Sequence, residues 1–251
     1  MNQLADYDMM VHDAFAYAKE GVYERTDRWI RLILGTILLG IPLSGYIIRI
    51  YRGATPAPAV EDWGALFIDG LKLMVIGLIY AIPVIIIALA PYFFRHATAL
   101  APAPVGTVQP FDMGAAGQTV GLVFLSILIM VIVDIIIAIL LPIASIRFAR
   151  TRDFFEAFNF RAIIGHIGKI GWLTYILALI VLLLIIGLPL FIVEMIVIFM
   201  GFFVGHIFIA LGLFLLLILI IAPLLSTFQA RFMTRVYDLG TEVPADPVKV
   251  P

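Results

Sequence analysis

The chain has 251 residues, 63% of them hydrophobic and 13% charged, with a net charge of −1 and no cysteine. A soluble domain carries about 45–50% apolar and about 25% charged residues, so this excess, with a mean hydropathy of +1.13, demands a low-dielectric solvent. Disulfide and thiol chemistry are excluded, and no nucleic acid is expected as a partner.

Several apolar runs reach the ~20 residues that cross a ~30 Å hydrocarbon core as helix. Short alternating segments of the barrel kind are absent, so helices must satisfy the backbone. The expected fold class is all-α: a polytopic transmembrane helix bundle of about four full spans. Re-entrant or short membrane segments and in-plane cytoplasmic amphipathic helices accompany them.

Residues 1–28 are polar and carry both signs of charge, which gives a cytoplasmic lead-in and no cleavable signal peptide. Met10, Ala14, Tyr17, Ala18 and Val22 fall on one helical stripe. The stripe suits either a helix on the membrane surface or an arm packed on the bundle. Residues 29–238 follow as a single transmembrane domain with a weak internal repeat, and 239–251 as a flexible cytoplasmic tail too polar and proline-rich to pack.

Trp29–Tyr51 is barely long enough to span, is interrupted by Gly40, Pro42 and Gly45, and has basic residues on both flanks. It is either one short span or a re-entrant pair of half-helices. Gly35, Gly40 and Gly45, five residues apart, do not make one packing stripe; they relieve local crowding. After Pro56 and Pro58, helical spacing of Val60, Trp63, Phe67 and Leu71 predicts an in-plane helix with Trp63 at headgroup depth. Leu73–Phe94 is a span bent at Pro83, and 95–117 is a loop.

Thr119–Ile146 is a second span and carries Asp134. Asp153 and Glu156 have capping-box spacing and open a second in-plane helix containing Phe154, Phe155, Phe158 and Ile163. Ile170–Gly187 spans again, 189–205 is taken as an excursion on the outer face, and Ile207–Leu225 is the last span. Trp29, Trp63 and Trp172 serve as interfacial anchors.

One plan recurs: a segment leaves the membrane, sets down two arginines, turns, and goes back in. Pro42–Lys72 shows it in full, Pro142–Lys169 is a diverged copy, and Pro223–Arg235 stops after the arginines. With a re-entrant first segment, both termini are cytoplasmic and every Lys and Arg except Arg95 lies inside. A spanning first segment with an outside N-terminus misplaces only Lys19, Arg25, Arg28 and Arg31.

Chemistry is sparse. HExxH, GxSxG, P-loop and dinucleotide-type glycine motifs are missing, and His12, His96, His166 and His206 fall at different depths. No catalytic residues, metal or cofactor are expected, and the chain is not expected to be an enzyme. Asp134, Glu194 and His206 are the candidates for an intramembrane relay or polar contact, because a carboxylate at mid-span is costly and needs a partner or water. Entering near Thr119, Asp134 lies roughly 22 Å in at about 1.5 Å per residue. Arg49, Arg52, Arg147, Arg150, Arg231 and Arg235 are candidates for contacts to lipid phosphates or a protein partner, with topological anchoring as the plainer alternative. Membrane lipids and a protein partner or second copy are the expected company.

The segments RWIRLILG, IPLSGYIIRIYRG, DWGALFIDGLKL and LIYAIP, with the ending PLLSTFQARFMTRVYDLG, resemble an uncharacterised archaeal family of polytopic membrane proteins, domain of unknown function 4013. The resemblance covers most of the chain and implies a multi-pass location in the cell membrane. It brings no catalytic residues. The recurring exit, arginine and re-entry plan resembles the repeat architecture of many permeases, so the expected function is a transport-related, permease-like or membrane-assembly subunit, or else a non-transporting structural protein that docks a cytoplasmic partner through its in-plane helices.

Overall fold

The computed structural model describes residues 3–99, 113–204 and 207–241, which contain helices and turns and no strand. In order these are α1 (Gln3–Ala18), a π-turn (Lys19–Tyr23), α2 (Thr26–Ile37), α3 (Ile41–Tyr51), α4 (Trp63–Ala99) and α5 (Met113–Thr151). A 3-10 turn (Phe154–Phe158), α6 (Phe160–Ile170), α7 (Trp172–Leu182), a second π-turn (Leu183–Gly187), α8 (Leu188–Val204) and α9 (Ile207–Leu239) follow. Among the described residues four helical runs are long and apolar enough to cross a membrane: Trp63–Phe94, Val120–Thr151, Trp172–Phe203 and Phe208–Leu239. The protein is an all-helical, multi-pass membrane protein.

The chain forms two compact units. One comprises the described residues of Met1–Ile76 and Pro142–Pro251, the other Gly77–Leu141. The core of the first is built where the arginines are. Met10, Ala14, Tyr17, Ala18 and Val22, the lead-in stripe, are all buried, and α1 lies against α9. Tyr46, Ile48, Ile50, Ile146, Phe148, Ile163, Ile167, Phe232 and Val236 complete this core. The second unit carries the C-terminal part of α4 and the N-terminal part of α5, whose apolar side chains, from Ile85 and Ile86 to Phe124 and Leu128, are exposed.

Residues 26–51 are a helical hairpin. At about 1.5 Å per residue, α2 and α3 are each too short for a ~30 Å core. The break is Leu39 and Gly40, both with positive φ (58° and 70°), a conformation glycine adopts without strain. Arg28 and Arg31 at the start of α2 and Arg49 near the end of α3 all donate to carbonyls of residues 57–60. The two basic flanks therefore meet at one end, as a hairpin places them and one continuous helix would not. Gly35 packs on Pro42 and Leu43 inside the hairpin. Gly45 and Gly70 do more: a methyl on either would overlap a backbone carbonyl across the contact, of Leu66 and Ile41 respectively, so α3 and α4 touch backbone to backbone.

Two expectations need correction. Residues 63–71 are not a separate in-plane helix but the opening turns of α4; their spacing is helical, and nothing between Leu71 and Leu73 interrupts the backbone. Nor do residues 189–204 leave the third span. The chain passes from α7 through the second π-turn into α8 as one helical run, Trp172–Phe203. Pro189 falls at the second position of α8, where neighbouring turns adjust without ending the helix. Four candidate spans remain after both changes. The second helix expected to lie in plane is divided: Phe154, Phe155 and Phe158 form the 3-10 turn, and Ile163 falls in α6, which Gly171 at φ 95° sets off from α7. Asp153 caps the 3-10 turn by accepting from Phe155 N, while Asn159 caps α6.

Candidate functional site

The first two copies of the recurring plan share a spacing, Ile48-Arg49-x-x-Arg52 and Ile146-Arg147-x-x-Arg150. On a helix, residues three apart share a face, and each copy uses its two arginines the same way. The first arginine holds its own downstream loop: Arg49 donates to Ala59 O at 3.1 Å, and Arg147 pairs with Glu156. The second crosses to the other copy. Arg52 Nε donates to Ala149 O at 3.3 Å, and Arg150 Nε donates to Tyr51 O at 2.6 Å. Each guanidinium thus takes the carbonyl of the residue just before the other. Carboxylates finish the pairing: Arg52 with Asp69 and Arg150 with Asp238, both at 2.8 Å.

These bonds satisfy helix C-terminal carbonyls that lack an intrahelical partner. Further donors organise the proline-rich loop after α3. Tyr17 Oη donates to Ala54 O at 2.9 Å, Arg28 to Ala57 O at 3.1 Å and Arg31 to Val60 O at 3.1 Å.

The third copy closes on the lead-in. Asp13 of α1 accepts from Arg231 Nε at 2.7 Å and from Arg235 Nη2 at 2.8 Å. Arg231 also lies over the Tyr17 ring, 4.6 Å from its centroid. The hydrogen bond from Arg235, together with Arg231, holds the Asp13 carboxyl well below the usual carboxylate range despite the opposing effect of burial. Burial pushes the Tyr17 phenol up to about 12. Beside this network lies a polar cavity of about 630 Å³, lined by Asp13, Glu20, Arg25, Arg28, Thr55 and Arg231 among others.

All six arginines expected to meet lipid phosphates or a partner therefore have partners within the chain. Arg52, Arg150, Arg231 and Arg235 are fasteners between segments distant in sequence, while Arg49 and Arg147 hold the loops that follow them. His166, not among the site candidates, joins the same end: its Nε2 is 3.0 Å from Tyr237 O and its ring stacks on Tyr237 at 3.9 Å. Burial lowers its pKa, with Arg147 and Lys169 adding to the effect and the Tyr237 carbonyl and Asp238 opposing it.

Asp134 on α5 and Glu194 on α8 are both exposed on apolar helices. They lie in different units, and His206 falls outside the described residues. Of the tryptophans, Trp29 donates from Nε1 to Ile220 O at 2.9 Å and so ties α2 to α9. Trp63 opens α4 and Trp172 opens α7, both exposed. Among the described residues no group of three or more His, Cys, Asp or Glu could hold a metal ion.

No match was found among curated proteins or among solved structures. The family described as "Protein of unknown function (DUF4013)" matches residues 30–202, from the α2–α3 hairpin through most of α8. With well over half of its length matched, the chain belongs to that family of proteins of unknown function.

Proposed function

We propose that the protein is a non-enzymatic, permease-like or membrane-assembly subunit of the cell membrane. Both termini are cytoplasmic, and its spans are completed by further copies or by another membrane protein. The exposure of Asp134 and Glu194 carries this reading. Each stands on a helical run whose most apolar window is at most 11% buried within the chain. A carboxylate at helix centre facing lipid is unfavourable by roughly 2.5–3.5 kcal/mol. A neighbouring subunit that supplies a hydrogen-bond donor removes that cost, and so does a water path between subunits. The first is an assembly contact and the second a transport relay; both need company. The hairpin supports the orientation, because it puts the basic flanks of residues 26–51 at one end, as Lys and Arg sorting requires.

The test is the mass of the assembly in lipid nanodiscs for the wild type, Asp134→Asn and Asp134→Leu. Asn keeps the shape and hydrogen bonding, so it should retain the assembly, whereas Leu should dissociate it. In proteoliposomes a relay adds a second signature, loss of ion-coupled flux in Asp134→Asn. A wild type that runs as one chain, with Asp134→Leu the more stable protein, would sink the assembly reading.

A docking role has one observation in its favour. Phe155, Phe160 and Ile164 are exposed on the 3-10 turn and α6, beside Arg152 and Arg161. A cytoplasmic partner on this face should be lost from native membranes in Phe160→Glu while the spans stay inserted. Equal recovery in both proteins would end that reading.

A further inference from the structure

A second cavity, of about 530 Å³, lies on the other side of the lead-in from the polar one. Its walls are almost wholly apolar: Phe15 and Tyr23 from the lead-in, Ile185 and Ile186 from the second π-turn, and Leu225 and Phe228 from α9. Lys19 is the charged residue in its lining. Both π-turns among the described residues contribute to it. Such turns widen a helix locally and recur at functional sites. The second of them packs tightly, with Leu183 Cδ1 only 2.6 Å from where a side chain on Gly187 would begin.

The position of the slot defines its occupant. Ile185, Ile186 and Leu225 belong to candidate spans, so two walls come from helices able to cross a membrane. The third wall is an amphipathic helix ending in Tyr23, which packs against Trp29 at 5.6 Å. Paired Tyr and Trp rings are typical of headgroup depth. Water gains nothing in a cavity this apolar, whereas a lipid chain does. Lys19 faces Glu24 at 3.5 Å with both side chains about half exposed. A pair so solvated is weak and leaves ammonium donors available to a phosphate.

We propose that this slot binds one hydrocarbon chain of a membrane phospholipid, its phosphate against Lys19, and that the bound lipid fastens the lead-in to the spans. The site lies within one chain and does not depend on the assembly described above.

The delipidated protein in detergent is titrated with phosphatidylglycerol, phosphatidylcholine, dodecane or inorganic phosphate. Thermal stability and phospholipid retained after gel filtration, measured by mass spectrometry, are the readouts. Both phospholipids should stabilise the wild type and be retained, with phosphatidylglycerol preferred; dodecane and inorganic phosphate should not substitute. Lys19→Ala, an exposed change, should lower phosphatidylglycerol affinity roughly fivefold and remove the preference. Ile186→Trp fills the slot and should abolish retention of both lipids; Leu225→Trp does the same from the opposite wall if the first variant fails to fold. Lipid retention unchanged in a folded, monodisperse filling variant overturns the proposal. So does stabilisation by dodecane equal to that by phospholipid, which would make the slot a packing gap without a headgroup contact.

Discussion

Removing the Asp13 carboxylate tests whether the lead-in is part of the fold. Its partner Arg231 has a side chain only 6% exposed, while Asp13 is 32% and Arg235 44% exposed. Breaking a fully buried ion pair by deleting one member costs about 3–5 kcal/mol, because the other charge is left without compensation. Asp13 is a third open to solvent, so Asp13→Ala should cost about 2–3 kcal/mol, below that range. That is roughly a 30- to 150-fold shift in the folded-to-unfolded ratio. Asp13→Asn keeps one acceptor and should cost about half as much. Arg235→Ala, on the exposed side, should fall within about 1 kcal/mol of wild type. Because the folded pKa of Asp13 is depressed, its contribution is present above the ordinary carboxylate value of about 3.9 and is lost as the pH falls through the folded value. The gap between wild type and Asp13→Ala should therefore be full at neutral pH and close in acid. Thermal unfolding in detergent, followed by tryptophan fluorescence at several pH values, measures each quantity. Asp13→Ala as stable as wild type, or Arg235→Ala as costly as Arg231→Ala, would show an ordinary surface ion pair and refute the burial argument.

Gly45→Ala and Gly70→Ala should each cost about 1–3 kcal/mol or more, as overpacked sites do, because α3 and α4 must separate. Gly77→Ala, with open space around its Cβ position, should change stability by about 1 kcal/mol at most and upward; equal effects at all three positions would contradict the backbone contact. The folded pKa of His166 lies below its ordinary value of about 6.5, so the unfolded chain binds the proton more readily. Stability should be flat above that value and fall as the pH drops below it, and His166→Gln should remove this slope; an unchanged slope would assign it to other groups. With no native cysteine, single cysteines at Gly106, Arg161 and Thr241 can be labelled in intact cells by an impermeant reagent. Only position 106 should react, and labelling at 161 or 241 would reverse the proposed orientation.

Much of the architecture was legible in the chain because the bilayer imposes a length and a polarity. Runs of apolar residues from Leu73, Thr119, Ile170 and Ile207 identify spans by the cost of leaving a backbone unpaired in hydrocarbon, and all four lie in helices of sufficient length. The lead-in stripe from Met10 to Val22 was legible for a related reason: a 3.6-residue period selects one face, and that face is buried. Where helices end was harder to read. Residues 63–71 suit an interfacial helix and the opening of α4 equally well, since amphipathicity fixes a face and not a stop. Residues 183–204 run on through a π-turn and a proline that in water would have marked a boundary.

The arginines divide the same question most clearly. Their placement at the basic ends of segments was fixed by local sequence, because Lys and Arg are strongly opposed to crossing. Their partners were not. Arg52 reaches Ala149, Arg150 reaches Tyr51, and Arg231 and Arg235 share Asp13, across more than ninety residues in the shortest case. A guanidinium accepts any carbonyl or carboxylate that the fold brings within about 3 Å, so its residue type specifies the chemistry of the contact and leaves its address to the packing of distant helices. Local sequence thus determined a membrane-spanning, arginine-rimmed helical protein. Only the tertiary structure decided that the arginine rim faces inward, holding the segments to one another.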